Sequence, residues 1–137
     1  MSDDCVFCRI VSGELPCYKV FEDSELMAFL DANPVNPGHL LVIPKKHYKT
    51  ITDMPRELHG RLYELVWSLA YDLQKKLDPD GLRVSQSNNE AAGQLVPHFH
   101  VHMIPRYEGD EVFYQELIKP RKLSSSEMKR IQAKLKL

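Results

Sequence analysis

The chain has almost no net charge. Its 18 lysines and arginines are set against 19 aspartates and glutamates, a formal charge of −1, so the overall balance gives no sign of a polyanionic partner. It contains no apolar run near the roughly 20 residues that a membrane-spanning helix needs, and no membrane partner is expected. The start, Met1-Ser2-Asp3-Asp4, is acidic and has no signal-peptide apolar core, so a cytoplasmic location is expected, with the nucleus as the alternative. Internal repeats and low-complexity segments are also lacking. Cysteine is scarce: three residues, an odd count, two of them spaced Cys5-x-x-Cys8. In a reducing compartment that spacing points to metal or redox chemistry rather than a structural disulfide. The remaining composition, 43% hydrophobic and 27% charged over 137 residues, is that of one globular domain spanning 1–137 with a real core. From Lys119 onward the chain carries seven Lys or Arg and one Glu, with no aromatic residue among them. Nucleic-acid tails interleave aromatics for base stacking, so this stretch reads as a solvated helix face and nucleic acid is not an expected partner.

The pattern along the chain is mostly strands with one long helix. A short helix is expected over Cys5 to Val11, ended by Gly13. Tyr18 to Phe21 and Leu26 to Leu30 read as a hairpin. The turn-rich stretch from Asn33 to Gly38 is a loop, and His39 to Ile43 is a strand. Leu58, Leu62, Leu65, Val66, Leu69, Leu73 and Leu77 recur at spacings of three and four, which predicts a helix from about Pro55 to Leu77 with Asp53 as its N-cap. Leu82 to Ser87 is a further strand, and Asn88 to Gly93 a polar loop. Ser124 and Glu127 form a capping-box pattern before a helix carrying Met128, Ile131 and Leu135. The expected class is α+β: an antiparallel sheet of about five strands, one long helix and short terminal helices.

Three histidines at alternate positions carry the chemistry: Pro97-His98-Phe99-His100-Val101-His102-Met103-Ile104-Pro105. A period of two is that of a strand, so the histidines share one face and Phe99, Val101 and Met103 share the other, against the core. Same-face neighbours are about 6.6 Å apart, a spacing that lets several imidazoles handle one small group such as a phosphate. A nucleophilic imidazole needs one nitrogen bare and the other held as a donor. A main-chain carbonyl accepting from Nδ1–H of His100 would leave Nε2 free for attack, with its neighbours orienting it or protonating a leaving group. A single metal ion held by all three is disfavoured, because the outer two lie about 13 Å apart on a strand. Upstream, Gly93 permits close backbone approach and Gln94 offers an amide for a phosphoryl oxygen. Asn88 is a polar loop candidate, and Asp31, before the proline-rich loop, is placed to accept from ribose hydroxyls. Cys17 and His59 read as ordinary packing residues, and His39 lies near the loop where a nucleotide would sit.

Taken together, His98-Phe99-His100-Val101-His102-Met103-Ile104, Gly93-Gln94, Phe29-Leu30-Asp31 and the run from Gly38 to His47 resemble the histidine triad (HIT) superfamily, in its Hint branch. The resemblance covers Cys5 to Tyr107 and leaves the tail from about residue 108 without a motif. It implies a homodimer that hydrolyses or transfers a nucleotidyl group at its α-phosphate, a purine nucleoside phosphoramidase acting on small nucleotide substrates. His100 would attack phosphorus and form a covalent nucleotidyl-histidine, His102 would contact the leaving group, and His98 would support the geometry. Gly93, Gln94 and Asn88 would lie at the phosphate, Asp31 and His39 at the nucleotide, and Phe7, Phe21 and Leu30 beside the base. No cofactor is required for that chemistry. The alternatives are a dinucleoside polyphosphate hydrolase, as in the Fhit branch, and a nucleotide-binding interaction protein. Leu95 departs from the Ser or Thr common after Gln94, which implies slower turnover or a shifted leaving-group preference. The resemblance also implies a structural zinc held by Cys5, Cys8, His47 and His98, where the residues alone leave zinc, bare thiols and a redox pair open.

Overall fold

The structure is a computed structural model that describes residues 4–110 and 122–137. Residues 1–3 and 111–121, which include most of the acidic start and the first basic residues of the C-terminal stretch, lie outside the described part. The order of elements is α1 (Val6–Val11), β1 (Tyr18–Glu22), β2 (Leu26–Leu30), β3 (Leu40–Pro44), α2 (Arg56–Leu77), β4 (Gly81–Ser85), β5 (Val101–Arg106) and α3 (Ser125–Leu135). The five strands form one sheet in the order β1-β2-β3-β5-β4, with every pairing antiparallel. The expected α+β architecture is therefore the observed one. No described helix is long and apolar enough to cross a membrane.

The sheet is buried on both faces at its centre, which is why β2 and β3 read as unbroken apolar runs rather than alternating ones. Ala28, Val42, Phe99, Val101 and Met103 join α2 and α3 in the larger core. On the opposite face Met27, Phe29, Leu41 and Ile43 pack against Cys5, Phe7 and Cys8 of the N-terminal segment. The leucine stripe of α2 is the buried one, and Leu69 and Leu73 are almost fully enclosed. The Ser124 and Glu127 capping box forms at the start of α3, whose Met128, Ile131 and Leu135 are buried.

Four local expectations are corrected. Asp53 does not cap α2; its carboxylate accepts from the Thr50 N–H and hydroxyl at 2.9 and 2.8 Å, and Pro55 takes the cap position without a side-chain bond. The triad strand is shorter than the alternation suggests. Ladder pairing begins at Val101, because the Phe99 N–H donates to Tyr48 O instead of to β3. Phe21 faces the helical core rather than the triad face, since a bulge between Lys19 and Phe21 shifts the period of two. Finally, β4 ends at Ser85, after which the Gln86 side chain bonds to Ser87 and Asn88.

Candidate active site

The three histidines leave the turn after Pro97 on the face opposite Phe99, Val101 and Met103, and their surroundings give each a different state. His100 is 8% exposed. Its Nδ1–H donates to the His98 carbonyl at 2.7 Å, since a carbonyl can only accept. The neutral ring therefore has a bare Nε2. Burial holds this imidazole below its ordinary range, while the bond to the His98 carbonyl and the nearby Asp31 pull the other way. Phe7 of α1 packs edge-on against both His98 and His100, with ring centres 5.8 and 5.1 Å away.

His102 is set by a chain of hydrogen bonds. The Val35 N–H donates to His39 Nδ1 at 3.1 Å. Neutral His39 must then carry its proton on Nε2, which lies 2.9 Å from His102 Nδ1 and 3.5 Å from an Asp31 carboxylate oxygen. With Nδ1 accepting, neutral His102 keeps its own proton on Nε2. Burial, aided by neighbouring imidazoles, pushes both His102 and His39 down to about 4. Burial raises the Asp31 carboxyl, opposed by the Asn33 N–H that bonds to it. The donor atoms of Asp31, His39 and His102 converge closely enough to suggest a cation site. The bonds argue against it, because the proton on His39 Nε2 occupies the lone pair of His102 Nδ1.

A cavity of about 900 Å³ opens in front of His100 and His102. Asp31 and Asn33 line it after β2, Phe7 and Ile10 line it from α1, and Gly93, Leu95 and Val96 line it from the loop before β5. Gly93 has φ +95, a conformation that favours glycine. Leu30 also lines the cavity, as do half-buried Cys17 and, from α3, Lys129. Sequence reasoning missed Lys129 and the wall formed by Val6 and Ile10. Nothing local marks Lys129, while Val6, inside the Cys-x-x-Cys, and Ile10, just after it, share a helix face at one turn's spacing.

Several expected residues are not brought to the cavity. Gln94 is 5% exposed; its oxygen accepts from the Asn89 N–H and its amide donates to Lys49 O, both at 2.7 Å. Asn88 accepts from the Ile51 N–H and exchanges bonds with Gln86. Both amides brace the loop with these bonds. His39 is 3% exposed and stands behind His102. His59 bonds to Ile51 O and packs edge-on against Phe99.

His98 faces away from the cavity into a second cluster. Its Nε2–H donates to Pro44 O at 2.8 Å, which leaves Nδ1 bare. That nitrogen lies 3.4 Å from Cys5 Sγ and 3.6 Å from Cys8 Sγ, and His47 Nδ1 lies 3.2 Å from Cys8 Sγ. All four donor atoms fall within 4.8 Å of one another, so Cys5, Cys8, His47 and His98 can hold a metal ion. A tetrahedral ion with Zn–S and Zn–N bonds of ordinary length has S···N edges of about 3.6 Å, and the sulfur–nitrogen distances here match. The cysteines are free thiols, and the His98–Pro44 bond is the kind of outer contact that orients a ligating imidazole.

A family model described as the HIT domain matches residues 12–109. The chain belongs to the HIT family. Its relatives include a HIT-like protein of Methanocaldococcus jannaschii, 46% identical over 77% of this chain and 81% of that one. An adenylylsulfatase of Arabidopsis thaliana is 37% identical over 90% of this chain and 62% of its own length. An adenosine 5′-monophosphoramidase of Schizosaccharomyces pombe is 38% identical over 74% of each. Among solved structures, a Hit-like protein of Bartonella henselae superposes with TM-score 0.88 at 31% identity, covering 99% of this chain and 96% of that one. A Zn-bound histidine triad family protein of Mycobacterium smegmatis does so with TM-score 0.83 at 32% identity, covering 96% and 93%. The Hint-type resemblance read from the motifs agrees with these HIT relatives.

The buried neutral histidines make stability pH-dependent. His39 and His102 titrate near 4 in the fold and near 6.5 when unfolded. Between those values the unfolded chain binds more protons, so the stabilisation is complete above about pH 6.5 and is lost as pH falls toward 4. Each histidine contributes a slope of up to about 1.4 kcal/mol per pH unit in that window. Thermal melts from pH 7 to pH 4 should show Tm falling across it, and the fall should be shallower in His39→Asn.

Proposed function

We propose that the protein is a nucleotide hydrolase or transferase that cleaves nucleoside phosphoramidates at the α-phosphate through a nucleotidyl group bound covalently to His100. The observation that carries this reading is the state of His100. Its Nδ1–H is committed to the His98 carbonyl, its Nε2 is bare, and its ring lines a cavity of nucleotide size. Nε2 attacks phosphorus, the P–N bond breaks, and its electron pair leaves on the amine nitrogen, which takes up a proton from water in the cavity while the His102 Nε2–H offers it a hydrogen bond. Water then attacks phosphorus and gives up a proton to the solvent, the bond to Nε2 breaks with its electron pair returning to the imidazole, and the nucleoside monophosphate departs. The imidazoles offset the charge that develops on the phosphoryl group. Asp31 accepts from ribose hydroxyls, and Phe7 and Leu30 flank a purine base. Among the described residues lining the cavity the ionic side chains are Asp31 and Lys129. That gives a chain of several phosphates a single cation, which favours phosphoramidates over dinucleoside polyphosphates. The names of the two relatives, adenosine 5′-monophosphoramidase and adenylylsulfatase, support the reading.

The metal cluster is read as a structural zinc site with a closed Cys₂His₂ shell, which leaves no open position for a reacting ligand. When bound, the ion would tie α1 to His98 and so hold the wall of the cavity. The chain is further read as a homodimer. The outer face of α2 exposes Tyr63, Trp67 and Tyr71, and Trp67 stacks on Tyr71 with ring centres 5.6 Å apart. Among the described residues the sheet ends on β4, where Val84 is 46% exposed. A second copy meeting this aromatic face and open edge would bury both.

Three outcomes are expected. His100→Ala should lower kcat/KM for adenosine 5′-phosphoramidate by at least about a thousandfold, and wild-type turnover in that variant would remove the mechanism. Elemental analysis should find one zinc per chain, lost in Cys8→Ser together with several degrees of Tm. Light scattering should give twice the chain mass of 15.9 kDa, and Trp67→Asp should shift it to the monomer.

A further inference from the structure

Lys129 lines the cavity from α3, an element outside residues 12–109 that the HIT model matches. That helix is fastened along the β1 edge of the sheet. The Gln132 amide donates to Lys19 O at 2.7 Å, and the Leu137 N–H donates to Val20 O at 2.9 Å. Met128 and Ile131 are buried in the core that Val20 and Tyr18 share. Lys129 precedes Gln132 by almost one turn, which sets it at the Cys17–Tyr18 end of β1, and those two residues line the cavity beside it. Its side chain is exposed, and among the described residues it forms no ion pair.

The sheet register says which part of a nucleotide would meet it. His102 pairs with Leu41, Leu41 with Phe29, and Phe29 with Lys19. Leu41 and Phe29 line the cavity together with His102, so this row across the sheet is its floor. From the triad on β5 to β1 is three strand spacings, about 14 Å. Asp31 follows β2, and its carboxylate stays close to the triad, 3.5 Å from His39 Nε2. A nucleotide with phosphorus at His100 and ribose at Asp31 therefore carries its base over Phe29 and away from β5, with the edge far from the sugar toward β1 and α3. The side chains along that path, Phe7, Ile10, Phe29 and Leu30, are apolar. They can hold a ring by its faces but cannot read its edge. Lys129 is the charged group at that end of the cavity.

We propose that Lys129 is a specificity-determining residue that reads the far edge of the base and selects guanine over adenine nucleotides. The inference rests on the phosphoramidase reading above. An ammonium group donates hydrogen bonds and accepts none. Guanine presents two acceptors on that edge, O6 and N7, whereas adenine presents the N7 acceptor beside an amino group that is itself a donor. The ammonium satisfies both groups of guanine and meets the amino hydrogens of adenine.

The test measures kcat/KM for guanosine and adenosine 5′-phosphoramidate with wild type, Lys129→Met and Lys129→Arg. Wild type should favour guanosine by about tenfold. Lys129→Met should bring the two within about twofold, and Lys129→Arg, which keeps a donor for O6 and N7, should retain the preference. Equal rates in wild type overturn the inference. So does an equal fall on both substrates in Lys129→Met, the mark of a charge that only attracts phosphate. Either result leaves the phosphoramidase reading standing. Failure of wild type to cleave either substrate overturns that reading instead, and calorimetry then decides the inference by itself. In a His100→Ala background, guanosine monophosphate should bind about tenfold more tightly than adenosine monophosphate, and Lys129→Met should erase the difference; equal affinities with Lys129 in place overturn the base-reading role.

Discussion

The His98 carbonyl accepts the Nδ1–H of His100 at 2.7 Å, while the His98 ring is held from the other side by Pro44 O and faces two thiols. One buried residue therefore belongs to both centres of the molecule. Its main chain decides which nitrogen of His100 is bare, and its side chain completes the set of four donors. If His98 moved by a fraction of an ångström, the bond to His100 would lengthen and the tautomer would no longer be enforced. Phe7 links the same two centres in space, because it lies between Cys5 and Cys8 in the chain and packs against both rings. The four-donor cluster is in this sense a support for the cavity wall and for the His100 ring.

The second ordering device is the series from Val35 through His39 to His102. A main-chain N–H at one end assigns every proton along it. It explains why burying three imidazoles near one another is tolerated. Each has a partner at Nδ1, and burial pushes each toward the neutral form that this bond needs. A buried cationic imidazole in the same place would lose its hydration, and two of them would repel each other without water to screen them. The cost is sensitivity to acid, since these groups take up protons on unfolding.

The fold was largely legible because its signals are local and repeated. The leucine spacing from Leu58 to Leu77 marks α2 within a residue or two, and the Ser124–Glu127 box marks the start of α3. The alternation through the triad gives the correct facing of Phe99, Val101 and Met103. The errors arise where a single side chain has two possible partners. Asp53 is a good cap by type, but Thr50 offers it two donors first. Gln94 and Asn88 are phosphate-ligand candidates by type, and the structure adds that their amide groups close their own loop on the 49–51 segment. The bulge that turns Phe21 inward leaves no mark on composition.

The sequence by itself determined the element types and the shared face of the triad, because these depend on periodicity, while the set Cys5, Cys8, His47 and His98 came with the family resemblance. Only the tertiary structure decided which nitrogen of each histidine is bare, that Gln94 is a brace, that Lys129 reaches the cavity, and that Leu95 stands at its rim. Those properties depend on what lies within about 3 Å of an atom, and the atoms concerned come from segments far apart in the chain. Packing brings them together, so no local pattern announces them.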